Sequence, residues 1–199
     1  MVRSGRFVGW SPSLLLGHDV HGKTLGIVGM GDIGSAVAKR AAGFGMRILY
    51  HNRNPSSLAA EVGAEMVSLD HLLSNADFVS LHVPLSQSTR HLIGKRELDM
   101  MKPTAFLINV SRGEVIDEAA LVGALKEDRI AGAGLDVFEN EPRLAPRLVG
   151  LANVVLTPHI GSASVETRER MADMAVGDLV DALEGRRPQH LVNPEAFQS

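Results

Sequence analysis

The chain has 199 residues, 45% of them hydrophobic, with 20 basic against 23 acidic side chains and no cysteine. That is enough for one large domain, or one domain and part of another, with an ample core. The near balance of charge argues against a nucleic-acid or membrane footprint, and the lack of cysteine excludes disulfides, thiol catalysis and thiolate metal sites.

The first 22 residues carry glycine, proline and two histidines without clear periodicity, and predict a short helix and a linker. His18-x-x-His21 has metal-pair spacing, but no third ligand lies nearby, so a solvated linker is the preferred reading and no metal is expected. The N-terminus lacks the apolar core of a signal peptide, and no uncharged apolar stretch is long enough to span a bilayer. The expectation is a soluble, cytoplasmic protein.

The informative stretch follows. Leu25, Ile27 and Val28 predict a buried strand, which breaks at Gly29-Met-Gly-Asp-Ile-Gly34. Ile33, Val37 and Ala41 then recur at helical spacing behind it. The glycines match G-x-G-x-x-G: Gly29 for a tight turn, Gly31 for approach of a pyrophosphate to the backbone, Gly34 for close helix–strand packing. Asp32 and Ile33 complete the loop, and the helix start offers N–H groups and a positive dipole end to phosphates. A glycine-rich structural turn is the plain alternative, but the second strand at Arg47 to His51 comes where a βαβ unit requires it.

Asn54-Pro55-Ser56 then reads as a turn, Leu58 to Val62 as a short helix and Glu65 to Val67 as a brief strand. Ser68 can cap a helix through Leu72 and Leu73. Asp77 to Val83 predicts a strand stopped by Pro84, Lys95 to Met101 a helix and Ala105 to Asn109 a buried strand. Glu118 to Glu127 predicts a helix with Leu121, Ala124 and Leu125 inward, and strands follow at Ile130 to Val137 and Val154 to Thr157. Strands alternating with helices imply an α/β fold, a doubly wound parallel sheet of Rossmann type. Ser164 to Leu183 is the longest helix, capped by Ser164 and ended by Gly185 and Pro188. Its stripe of Met171, Met174, Ala175, Leu179 and Leu183 reads as core or interface packing. The expected division is a dinucleotide-binding domain over 1–160, and over 161–199 a C-terminal helix and tail.

In such sheets ligands bind beyond the carboxyl ends of the strands, so the loops there carry the chemistry. Three hold unusual residues: Val110-Ser-Arg-Gly113, Phe138-Glu-Asn-Glu-Pro142 and Pro158-His-Ile-Gly-Ser162. With their flanking strands, these segments resemble the signature stretches of the D-isomer-specific 2-hydroxyacid dehydrogenases, and among them most resemble glyoxylate/hydroxypyruvate reductases. The resemblance runs from about Trp10 to the C-terminus.

The resemblance implies that Arg112, Glu141 and His159 are catalytic. An arginine fork can clamp a carboxylate and lean on a keto oxygen; an imidazole can give and take a proton near neutral pH; a carboxylate can fix its tautomer. The plain alternatives are a turn arginine and a core histidine. Glu139 is the rival carboxylate, and the family pattern favours the acid directly before Pro142. The same pattern assigns Asp136 to the nicotinamide amide, though it reads equally as a strand-end cap. It sets Val110 and Gly161 against the ring, and Val83 and Pro84 beside the adenine. Trp10 stands where some of these reductases lend a tryptophan to a neighbouring subunit; burial in its own domain is the alternative.

Two departures shape the expectations. Asn52 stands where an NAD enzyme usually carries an acid for the ribose 2′-OH, and Arg53 can pair with a 2′-phosphate, so NADP is the expected cofactor with NAD second. Members of the family also carry a substantial segment ahead of the position of Met1, which builds most of the catalytic domain. The expectation is therefore a C-terminal helix belonging to an incomplete catalytic domain, and a chain that binds cofactor but reduces substrate poorly. The expected function is hydride transfer between NADPH and a small 2-keto acid, in a homodimer. The alternatives are a dinucleotide-sensing module, such as the corepressors that resemble this family, and an inactive fragment.

Overall fold

The computed structural model describes residues 1–197. The chain divides into two compact units, Met1–Thr157 and Pro158–Ser199.

The first unit is built on seven strands: β1 (Thr24–Val28), β2 (Arg47–His51), β3 (Glu65–Met66), β4 (Phe78–Leu81), β5 (Phe106–Asn109), β6 (Gly132–Leu135) and β7 (Val154–Leu156). Between them run α1 (Asp32–Ala41), α2 (Leu69–Asn75), α3 (Lys95–Met100), α4 (Glu118–Lys126) and α5 (Pro146–Val149). All neighbouring strands are parallel, in the order β3-β2-β1-β4-β5-β6-β7. This is the doubly wound α/β sheet that the alternation predicts. The larger apolar cluster includes Leu72 of α2, Leu98 of α3 and Leu121 and Leu125 of α4. The smaller one joins Ala38 and Ala41 of α1 to Ile27 of β1 and Tyr50 of β2. Burial of these side chains, at about 25 cal/mol per Å² of apolar surface, is the main force assembling the layers.

Local chemistry sets the helix starts. Ser68 accepts the His71 N–H at 3.2 Å to cap α2, and Asp117 accepts the Ala120 N–H at 3.0 Å to cap α4. Asp77 joins two strand starts, taking the Thr24 N–H and the Lys102 ammonium, each at 2.9 Å.

Several elements differ from their predicted form. Ser57–Val62 is a 3-10 helix, and β3, β4 and β6 are shorter than the apolar runs that contain them. The four-residue α5, opened by Pro146, was not expected; so short a turn leaves no periodicity to read. On α1, Ile33 is 67% exposed while Ala38 and Ala41 are buried. Trp10 is 83% exposed, which rules out burial in its own unit.

The register aligns one edge of the sheet. Val28 pairs with both His51 and Leu81, Leu81 with Asn109, Asn109 with Leu135, and Leu135 with Leu156. The residues that leave the strands there are Gly29, Asn52, His82, Val110, Asp136 and Thr157. Strand order reverses between β1 and β4, where an open α/β sheet opens its crevice.

The second unit holds α6 (Val165–Leu183), capped by Ser164, which accepts the Thr167 N–H at 3.2 Å. Its tail folds back through Asp178, which accepts the Gln189 N–H at 2.9 Å and meets His190 Nδ1 at 3.0 Å. No residue of α6 is buried, and Met171, Met174, Leu179 and Leu183 are exposed.

Candidate active site

The glycine loop is shaped by contacts that leave no room for side chains. Gly29 has φ +102°, and a Cβ there would stand 2.7 Å from the His82 carbonyl carbon and 2.9 Å from the Val83 nitrogen. A Cβ on Gly34 would overlap the Gly29 carbonyl oxygen. Around Gly31, by contrast, nothing lies within 4 Å of that position, and no side chain caps α1, whose first residue is Asp32. An open glycine backbone beside an uncapped helix start fits the pyrophosphate of a dinucleotide.

Beyond the loop lies a crevice of about 970 Å³ whose walls include Gly31, Asn52, Arg53, Ser56, Val83 and Pro84. Asn52 Oδ1 accepts the Met30 N–H at 2.7 Å, tying the end of β2 to the glycine loop. That bond engages the amide oxygen and leaves the amide N–H groups as Asn52's donors. Arg53 is exposed on the same wall.

A second crevice, of about 430 Å³, shares Val83 and Pro84 with the first and adds Ile33, His82, Val110 and Arg112. Five of the residues proposed from sequence thus line one hollow of the first unit. Asn109, 1% exposed, makes the turn that presents Arg112. Its Nδ2 donates to the Arg112 carbonyl at 2.8 Å, and its Oδ1 accepts from the Ser111 N–H at 3.0 Å and hydroxyl at 2.9 Å. The Arg112 guanidinium is exposed and donates to the Ser111 carbonyl at 2.7 Å.

Asp136, 7% exposed, accepts the Thr157 hydroxyl at 2.5 Å across the ends of β6 and β7. In the loop that follows, the two candidate carboxylates have different surroundings. Glu139 Oε1 meets His91 Nε2 at 2.7 Å and Arg90 at 3.7 Å. Glu141 Oε1 accepts the Phe138 N–H at 3.0 Å. His82 is bonded to Ser80 Oγ at 2.9 Å, and its burial holds the imidazole below its ordinary pKa of 6.5, favouring the neutral ring.

His159 and Gly161 belong to the second unit. His159 is exposed with φ 53°, a left-handed backbone that non-glycine residues adopt rarely and that concentrates at functional sites.

Sequence reasoning passed over Thr157, Asn109 and Glu118, whose carboxylate accepts two backbone N–H groups of the Glu141 loop. Polar residues at the strand-end or first-turn positions were the only available signal.

Residues 1–161 match the model of the D-isomer specific 2-hydroxyacid dehydrogenase NAD binding domain. Over 203 residues the chain is 54% identical to a glyoxylate reductase of Thermococcus litoralis, covering 100% of this chain and 61% of that one. It is 56% identical over 201 residues to a glyoxylate reductase of Korarchaeum cryptofilum, covering 99% and 60%. The TT0316 protein of Thermus thermophilus has a similar structure, with a TM-score of 0.90 and 50% identity over 96% of this chain and 60% of that one. The chain therefore spans 60–61% of the length of these curated relatives.

Proposed function

The chain belongs to the D-isomer-specific 2-hydroxyacid dehydrogenase family, and on that premise we propose that it reduces glyoxylate, hydroxypyruvate or a similar small 2-keto acid, with NADPH preferred to NADH. The reduced nicotinamide, when bound, supplies the hydride for the keto carbon. The chain's own residues do the rest. Arg112 pairs its planar guanidinium with the substrate carboxylate and polarises the keto oxygen. His159 gives that oxygen its proton, so the carbonyl becomes a hydroxyl, and it takes the proton back in the reverse direction. Glu141 orients the imidazole and fixes its tautomer. Asp136 would hold the nicotinamide amide, and Val110 and Gly161 would line its ring. A homodimer is part of this reading.

The observation that carries the proposal is the exposure of Arg112 on the wall of the crevice that also holds Val83, Pro84 and Val110, beside the glycine loop. The cofactor preference rests on Asn52 and Arg53. The residue at the ribose position is a neutral amide whose oxygen is engaged by Met30, so no carboxylate repels a 2′-phosphate there, and the neighbouring guanidinium attracts one.

The test is a single-turnover experiment, following NADPH absorbance as glyoxylate is added to the protein. The expected result is glyoxylate-dependent oxidation that Arg112→Ala abolishes. NADPH that binds but is oxidised by neither glyoxylate nor hydroxypyruvate would instead mark a dinucleotide-sensing module.

A further inference from the structure

Two backbone segments carry the two proposed catalytic groups of the first unit. One runs from Arg112 through the Gly113–Val115 turn and the Asp117 cap into α4. The other, from Phe138 to Ala145, carries Glu141. The two are in direct backbone contact, because a Cβ on Gly113 would overlap the Phe138 carbonyl and crowd the Glu139 nitrogen. Contact alone leaves a loop free to slide.

Hydrogen bonds to both sides of the Glu141 loop come from Glu118, the first residue of α4, which is 9% exposed. Its Oε2 accepts the Glu139 N–H at 3.1 Å and its Oε1 accepts the Ala145 N–H at 3.2 Å. These donors flank Glu141 on either side. Asp117 already caps α4, so the helix does not need the Glu118 side chain for that purpose. A carboxylate at the first turn is favoured by the helix dipole, which offsets the cost of burying it.

We propose that Glu118 is a positioning residue: its carboxylate holds both ends of the Glu139–Ala145 segment and so fixes Glu141 relative to Arg112. The chemistry demands glutamate. Two donors need two acceptor oxygens, whereas glutamine offers one oxygen and one NH₂, and the latter would face a backbone N–H. Aspartate is a methylene shorter. The role rests on the reading of Glu141 as the carboxylate that orients the catalytic imidazole.

The test combines amide hydrogen exchange with single-turnover NADPH oxidation by glyoxylate, on the whole protein and on Glu118→Gln. The Glu139 and Ala145 amides report the two bonds directly. Phe138 is the deciding probe, because its N–H is bonded to Glu141 and not to Glu118. The expected result is exchange at least about 10-fold faster at Glu139, Ala145 and Phe138, with Leu121 to Leu125 of α4 unchanged. The oxidation rate should fall roughly 10- to 100-fold while NADPH affinity stays within about 2-fold, as for a misplaced catalytic group. Adding Glu141→Gln to the Glu118→Gln protein should cost little more, since both act through one carboxylate. Glu118→Asp, which keeps the charge, serves the same readouts if the glutamine variant does not fold. Unchanged exchange at Phe138, or an unchanged oxidation rate alongside a large loss in Glu141→Gln, would overturn the proposal. If Glu141→Gln alone keeps full activity, the assignment of Glu141 is what fails, and Phe138 exchange still decides whether Glu118 holds the loop.

Discussion

At the end of β1 the chain turns through Gly29 with φ +102° and packs its backbone closely against that of His82 and Val83, with the Asn52 amide bonded to Met30 beside it. At the end of β5 the turn is made by the side chain of Asn109, which bonds to Ser111 and Arg112. The same contrast runs outward from each. On the nucleotide side Gly31 leaves open space and Gly34 touches backbone; on the other side Thr157 holds Asp136 and Glu118 holds the Glu141 loop. On the proposed reading, the first region leaves room for a dinucleotide whose phosphates backbone N–H groups would meet, so it should fail when atoms are added. On the same reading, the second aims charged groups at a small substrate, so it should fail when polar atoms are removed.

The largest effect expected from the contrast is a clean separation of chemistry from binding. His159→Ala should lower turnover on the order of 10²- to 10⁴-fold with NADPH affinity unchanged, because proton transfer is lost and no nucleotide contact is. Near-normal turnover would assign the acid to another group. Next is the nucleotide side's own charged contact. Arg53→Ala should weaken NADPH by roughly 1.5 to 3 kcal/mol while leaving NADH unchanged. Equal NADPH affinity in the two proteins would remove the case for a 2′-phosphate site.

A smaller effect concerns the opposite end of the sheet, where Asp77 serves stability alone. Partial burial pushes its pKa up, but the Thr24 N–H and the Lys102 ammonium outweigh this and hold it below 3.8. A carboxyl with a depressed folded pKa stabilises above its unfolded value and loses that contribution as pH falls through the folded one. Asp77→Ala should therefore lower unfolding stability by about 1 to 3 kcal/mol at pH 7, and by less toward pH 3, with NADPH binding intact. The smallest effect belongs to His82. Burial lowers its pKa, so the neutral ring's contribution is present above 6.5 and is lost as pH falls below it. Denaturation curves at pH 7.5 and 5.5 should show a steeper acid loss in the wild type than in His82→Gln; equal slopes would remove His82 from the account.

What the sequence made legible follows the same division. Apolar runs such as Leu25 to Val28 and the spacing of Gly29, Gly31 and Gly34 act locally, and the fold they predict is the one observed. Helical spacing groups Ile33 with Val37 and Ala41 but carries no information about which of them the sheet covers, so the exposure of Ile33 on the crevice wall was not legible. The neutral residue at Asn52 was legible as a missing acid, but its bond to Met30 was not. Glu118 looked like any acid in a first turn, since its partners are backbone N–H groups 21 and 27 residues further on. Interactions that close over such separations leave no pattern in a single sequence.

The contrast itself is tested most directly by titrating NADPH calorimetrically into the wild-type protein, Gly34→Ala and Arg112→Ala. One added methyl group on the nucleotide side, where Gly34 meets the Gly29 carbonyl, should weaken binding on the order of 100-fold. Removing the whole guanidinium on the other side should change it by less than about 3-fold. Wild-type affinity in Gly34→Ala, or loss of binding in Arg112→Ala, would contradict it.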